Sequence, residues 1–332
     1  MGYLTKWGGI WGKAPFITGR IYFVAAAATY TIEGRSYSAS DDNDGLSPER
    51  ALLTVQRANN LCTANVGDTI VLLPGTNTTT AVTRLNVAGV TLMGIPVSKA
   101  EPFEMGFAGL VRYPSTLSIT GTSSALLSIE ADNIEVCNLT LIPQTAFAAI
   151  QFRNASPDNF RIHHFYVDLS TPNASTGTYG IDLAYRADSS NQTSAGISKH
   201  ANTLALATGY IGYGAFVSDG AQGRAIDVAS ASVRITQCYF HNTAGAWATP
   251  LAVATAADGC LIDNSVWTTA GTMGVCIDGS LADNADGVSI RYNTFPRAGL
   301  ITSGLVVDNF GANEAQMVEN YQEGSASAVT TT

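Results

Sequence analysis

From about residue 134 the chain repeats one short pattern of apolar and polar positions. The segments IEVCNLTL (from Ile134), FRIHHFYV (Phe160), TLALATGYI (around Leu206), VRITQCYF (Val233), CLIDNSVW (Cys260), VSIRYNTF (Val288) and QMVENYQE (Gln316) each alternate about one central apolar residue. Those centres are Val136, Ile162, Leu206, Ile235, Ile262, Ile290 and Val318, at steps of 26, 44, 29, 27, 28 and 28 residues. A second set interleaves with the first: LLSI (Leu126), AIQF (Ala149), GIDL (Gly180), AIDV (Ala225), PLAV (Pro250), GVCI (Gly274) and GLVV (Gly304). Gly, Asn, Asp and Ser separate the segments, as turns require. Alternate side chains of a strand face opposite ways, so VRITQCYF sends Val233 and Ile235 inward and Arg234 and Thr236 outward. A period near 27 residues built of short strands predicts an all-β chain wound as a parallel β-helix of about eight coils, each pairing with its neighbours. Leucine-rich repeats have a similar period but need dense leucines and a helical limb, which are missing here. The one long step contains a Ser/Asn/Thr-rich stretch, about 170–202, which we expect to leave the coil as an inserted loop.

One helix stands before this array. In DDNDGLSPERALLTVQRANNLCTANVGDTIVLLPGT (Asp41 to Thr76), Ser47 is a suitable N-cap, Pro48 suits the first helical position and Glu49 faces the positive end of the dipole. Leu52, Val55, Ala58 and Leu61 (or Cys62) recur at helical spacing, predicting a helix over about 48–63 with one apolar stripe. Val66-Gly67 closes it, and Thr69 to Leu73 is a buried strand. A β-helix end exposes its core and an unpaired strand edge. The helix is expected to cover that end.

Composition narrows the function. The chain has 332 residues, 46% of them hydrophobic, and a net charge of -9, which argues against nucleic acid as a partner. No run reaches the length of a membrane span. IYFVAAAATYTI (Ile21 to Ile32) comes nearest; it starts late for a signal peptide and lacks a basic run before it, so it is expected as a buried strand. The five cysteines (Cys62, Cys137, Cys238, Cys260, Cys276) are odd in number and irregular in spacing, so neither a disulfide framework nor a zinc site is expected. The four histidines, His163 and His164 adjacent, show no ligand spacing. DDNDG fits an Asp turn better than an EF-hand, since Ser40 and Ala51 would fall at its first and twelfth positions. No metal or cofactor is expected.

The stretch DDNDGLSPERALLTVQRAN followed by VGDTIVLLPGT resembles the opening of right-handed parallel β-helices of the pectate-lyase-like superfamily, and the likeness runs through the coils, roughly 40–323. The glycine- and tryptophan-rich LTKWGGIWGKAPFITGRIYFV is similar to the N-terminal segments of β-helical virion proteins of tailed bacteriophages. This resemblance implies a structural protein on the virion surface, assembled in the host cytoplasm, usually a homotrimer, and attached by such a segment to the major capsid protein or another virion protein. On that reading residues 1–39 dock the protein, through Trp7, Trp11 and Phe16, and 324–332 are a tail. Trp7 and Trp11 packing on the first coil is the alternative. Only GSASAVTTT follows the last coil, which favours a capsid decoration over a tail spike or fibre.

Enzymes and tailspikes with this fold use outward carboxylates. Asp182 (GIDL) and Asp227 (AIDV) share a register in neighbouring coils, about one strand spacing apart, near the separation of a retaining glycosidase. The next coils are expected to place Ala252 and Cys276 there, so the row is short and no complete catalytic set is visible. If there is an enzyme here, a glycoside hydrolase or polysaccharide lyase, these two aspartates carry it. Tyr179, Tyr185, Tyr210 and Tyr213, around the insertion, are candidates for binding a host-surface glycan, as in an adhesin, or for contact between protomers.

Overall fold

The computed structural model describes residues 18–96, 112–120, 125–143, 148–152, 157–170, 180–183, 208–219, 224–229, 231–254, 257–281, 287–307 and 315–324. Its strands form a right-handed parallel β-helix. The main path of the larger, 16-stranded sheet crosses ten strands: Ile21–Val24, Thr69–Leu72, Thr91–Gly94, Glu135–Ile142, Phe160–Asp168, Gly209–Ser218, Val233–Thr236, Leu261–Asp263, Ser289–Arg291 and Gln316–Val318. A 9-stranded sheet carries the second set of segments. Every pairing among the described residues is parallel except a hairpin of Thr29–Ile32 with Arg35–Ser38.

The core is a set of rows. Tyr22, Ile70, Leu92, Val136, Ile162, Ile211, Ile235, Ile262, Ile290 and Met317 are successive register partners. Two expected centres are therefore corrected. Leu206 lies outside the described residues, and its place is taken by Ile211. Apolar alternation in TLALA imitates the pattern, whereas the strand itself, GYIGYGAFVS, is disguised by its glycines. Gly209 and Gly214 make room for aromatics of the previous coil: a Cβ on Gly214 would lie 2.0 Å from Cζ of Phe165. The step from Ile162 to Ile211 is thus 49 residues, not 44. At the last coil Met317, not Val318, pairs with Ile290, and Val318 stands beside Arg291 on the outer face.

From the strand Glu135–Ile142 onward, each coil turns a corner at a left-handed residue. Asn138, His164, Tyr213, Gln237, Asn264, Tyr292 and Glu319 have φ between 46 and 57°. Such values are uncommon away from glycine, though Asn and His tolerate them better than most. The corner resets the alternation, so Ile162 and Phe165, three apart, both point inward. Beyond it an aromatic row fills the core. Phe216 stacks on Phe240 (5.3 Å between centroids), Phe240 on Trp267 (4.6 Å), and Trp267 meets Phe295 (4.9 Å). Inside the corner the later coils carry a polar ladder: Cys238 N donates to Ser265 Oγ (3.1 Å), Ser265 N to Asn293 Oδ1 (2.9 Å) and Asn293 N to Asn320 Oδ1 (3.0 Å).

The N-terminal helix is shorter than the 48–63 expected. Pro48–Arg50 make one 3-10 turn, and the α-helix is Val55–Leu61. Ser47 makes no side-chain cap; Thr54 does, accepting from Arg57 N (3.1 Å). Asp41 fixes this start by accepting from the amides of Leu53 (3.0 Å) and Thr54 (2.9 Å) and from the Thr54 hydroxyl (2.8 Å). Leu52 precedes the helix and bridges to Val24 in extended conformation. Leu52, Val55 and Ala58 are buried in the main core with Tyr22, Ile70 and Leu85. The division at residue 39 does not hold either. Ile21–Val24 pairs with Thr69–Leu72 as part of the first sheet, because its alternate residues Tyr22 and Val24 belong to the core.

Candidate functional site

With one row pointing inward, the flanking positions of the same strands point outward and line up across coils. One outward row runs Thr91, Glu135, Arg161, Tyr210, Arg234, Leu261; the other runs Cys137, His163, Gly212, Thr236, Asp263, Arg291.

At the N-terminal side of these rows lies a carboxylate–imidazole–imidazole chain. Glu135 Oε2 accepts from the Thr91 hydroxyl (3.1 Å), and Glu135 Oε1 lies 2.9 Å from His163 Nε2. His163 Nδ1 in turn lies 2.8 Å from His164 Nδ1. A carboxylate only accepts, so the proton of this first bond sits on His163 Nε2; a neutral His163 then accepts from His164 at Nδ1. Burial pushes the Glu135 carboxyl up, but the His163 hydrogen bond and charge, with Arg161 and Thr91, outweigh burial and hold it below the ordinary value. His164 reaches this position because its left-handed corner turns it out of the strand, and its ring stacks on that of Tyr213, the next corner residue, at 5.0 Å. Cys137 is the register partner of His163 but is no nucleophile. It is buried beside Val71 and Met93, burial pushes its thiol far up, and both nitrogens of His163 are engaged.

Further along, Arg161, Tyr210 and Arg234 stand side by side on three adjacent strands. The Arg161 guanidinium lies 6.0 Å from the centroid of the Tyr210 ring, within cation–π range. A Cβ on Gly212 would come within 2.5 Å of Tyr210 Oη and 2.7 Å of its Cζ, so the missing side chain at 212 is what lets the tyrosine lie down along the sheet. Burial raises its phenol to about 12, so it is a protonated hydrogen-bond donor at neutral pH. Arg234 is held by Asp263, Nη2 to Oδ2 at 3.0 Å, and the same oxygen lies 3.8 Å from Nη2 of Arg291. Asp263 is buried, while Arg161 and Arg234 keep exposed side chains. This arrangement offers a ring face flanked by two cations.

Tyr210 and Tyr213 thus belong to this surface; Tyr179 and Tyr185, like Trp7, Trp11 and Phe16, lie outside the described residues. Asp182 and Asp227 are register partners as expected. Their row on the second sheet runs Arg84, Ser128, Gln151, Asp182, Asp227, Ala252, Asp278. Asp278 replaces the expected Cys276, which is buried in the core: the register partner of Leu251 is Ile277, two residues later than GVCI suggested. Asp227 pairs with Arg224, Oδ2 to Nη1 at 3.0 Å. Among the described residues no three His, Cys, Asp or Glu side chains are grouped to hold a metal ion.

Arg161, His163, Arg234 and Asp263 were not singled out from sequence, although a signal existed. Arg161 precedes Ile162 and Arg234 precedes Ile235, so both occupy one column of the repeat. Tyr210 was a candidate from sequence, but the misplaced centre at Leu206 hid its place between these two arginines.

No family model matches the chain, nor does any curated protein sequence. Solved structures do. A pectin methylesterase in complex with a hexasaccharide aligns over 95% of this chain and 92% of its own at 11% identity, with a TM-score of 0.54. Escherichia coli YbhC aligns over 94% and 87% at 12% identity, with a TM-score of 0.53. These likenesses show the fold. Geobacillus virus E2 ORF18, at 11% identity over 81% of this chain and 58% of its own, reaches a TM-score of 0.34.

Proposed function

We propose that this protein is a structural component of a tailed-phage virion, a trimeric β-helical decoration on the capsid surface held by its N-terminal segment. The observation that carries the proposal is where the chain joins the coils. Gly19 N donates to Gly67 O (3.2 Å), Arg20 N to Asp68 Oδ1 (2.6 Å), and Ile21–Val24 forms the first strand of the sheet's main path. The segment that resembles phage docking sequences therefore leads directly into the first strand of the sheet. Cryo-electron microscopy of intact particles tests this: β-helix density on the capsid, three copies about an axis, is the expected result. Density confined to the tail, or no such protein in purified particles, would overturn it.

The face bearing Arg161, Tyr210 and Arg234 favours a second reading, an adhesin or spike that binds a host-surface glycan. A likeness in fold to a pectin methylesterase solved with a hexasaccharide supports it. Glycan-array binding by the intact protein, absent from a Tyr210→Ala variant, is the expected result.

A further inference from the structure

Resting on that second reading, we propose that the Arg161–Tyr210–Arg234 row is a binding site for an acidic polysaccharide lying along the coil axis, one uronate ring over Tyr210 and the carboxylates of the flanking rings on the two arginines. Three observations converge on it. Arg161, Tyr210 and Arg234 occupy one outward row on adjacent strands. Arg161 and Arg234 are therefore about 9.5 Å apart at the backbone, two strand spacings. A pyranose residue in an extended chain spans about one such spacing, so every second carboxylate meets an arginine while the intervening ring covers the tyrosine.

Gly212 supplies the second observation. By letting Tyr210 lie along the sheet, it gives a flat aromatic surface of the kind the C–H face of a pyranose packs against. The protonated phenol adds a donor for a ring hydroxyl. The third is Asp263. A buried carboxylate that draws Arg234 and Arg291 to one oxygen fixes their guanidinium groups before any ligand arrives. An arginine has five donors, so pairing with Asp263 leaves Arg234 others for a ligand carboxylate. Arg161 meets the Tyr210 ring from the opposite strand. In a chain of net charge -9, three arginines against Glu135 and Asp263 make this a locally positive face. A phosphodiester polymer meets the same arginines; the flat tyrosine face set one strand spacing from each arginine favours a pyranose chain.

The test is calorimetric titration of the full chain with a hexauronate, with the same hexamer after reduction of its carboxyl groups, and with a single-stranded DNA oligonucleotide. The expected result is binding of the hexauronate, weakened about tenfold or more by Arg161→Gln or Arg234→Gln, as loss of a charge-assisted hydrogen bond implies. Tyr210→Ala weakens it too, and Arg35→Gln, on the distant hairpin, leaves it unchanged. Arg161 rests on the Tyr210 ring and is not tied to buried Asp263 as Arg234 is, so its variant decides the matter if Arg234→Gln fails to fold. Equal binding of the reduced hexamer, or full affinity in Arg161→Gln, would overturn the site while leaving glycan binding elsewhere intact. No binding of either hexamer would overturn the site, while the glycan reading is overturned by a blank glycan array. Tighter binding of DNA than of the hexauronate would overturn the choice of ligand.

Discussion

Asn293 shows how a single polar side chain is tolerated inside an apolar stack. Its Oδ1 accepts from Ser265 N (2.9 Å), and its Nδ2 donates to Ile262 O and Asn320 Oδ1 (3.0 Å each). Removing it orphans Ser265 N and Ile262 O at roughly 1–3 kcal/mol each. Asn293→Ala is therefore expected to lose about 2 kcal/mol or more in urea unfolding. Asn293→Ser should lose less, because Ser265 already shows a hydroxyl filling this role one coil earlier; equal losses would show that the ladder bond is not the cause. Glu135 gives a pH prediction. Its carboxyl titrates below the ordinary value of 4.5 in the folded chain, so the folded state binds fewer protons than the unfolded state in that range. Its contribution to stability is present in full above 4.5 and is lost as pH falls through the depressed value. The stability advantage of the native protein over Glu135→Gln should hold at neutral pH and shrink on acidification below that point. A difference that stays constant down to the acid transition would contradict the pairing with His163. None of these roles was legible in the sequence. The alternation gave each residue a face, but the bonds of Asn293 and Glu135 reach residues 27 to 44 positions away.

At the scale of elements, alternation marked the strands well and their register less well. Short coil segments such as VRITQCYF carry their own phase. GYIGYGAFVS does not, because Gly209 and Gly214 make room for Phe160 and Phe165, a demand invisible without the neighbouring coil. The helix was legible as an apolar stripe, but its start was not. The sequence favoured Ser47, whereas Asp41 recruits the amides of Leu53 and Thr54 and leaves Leu52 extended. Leu52 and Val55 still face the core from this segment. Placing a carboxylate at either site buries a charge without a partner, which costs several kcal/mol. Leu52→Asp or Val55→Asp should unfold the N-terminal coils or drive association through the uncovered end. Unchanged urea midpoints with a single monodisperse species in light scattering would show that the segment does not close the β-helix.

At the scale of the whole molecule, the class of fold followed from one periodicity, since a stack of coils repeats its inward residues and thereby prints its period on the chain. The site did not follow, because a row on the outer face draws one residue from each coil and becomes visible only when the register is right to the residue. The same logic governs where the protein attaches. The coils need the chain from Thr18 onward: Thr18 Oγ1 donates to Val66 O (2.8 Å), Arg20 N to Asp68, and Tyr22 and Val24 are core residues. Trp7, Trp11 and Phe16 precede that point, and exposed together they would form an apolar patch of the kind that marks an interaction surface. A truncated chain beginning at Thr18 is therefore expected to keep the β-rich spectrum and urea midpoint of the full protein, yet fail to bind particles that lack it. A cut at Ser36 would instead strip the Ile21–Val24 strand and expose the edge of Thr69–Leu72, so loss of binding there would report unfolding as well as detachment. The informative comparison is between the chain beginning at Thr18 and a full-length variant with Trp7 and Trp11 both changed to alanine. If both fold and neither occupies particles, the N-terminal aromatics are the anchor. If either decorates particles at full occupancy, the coils themselves carry the attachment surface and the proposed orientation is wrong.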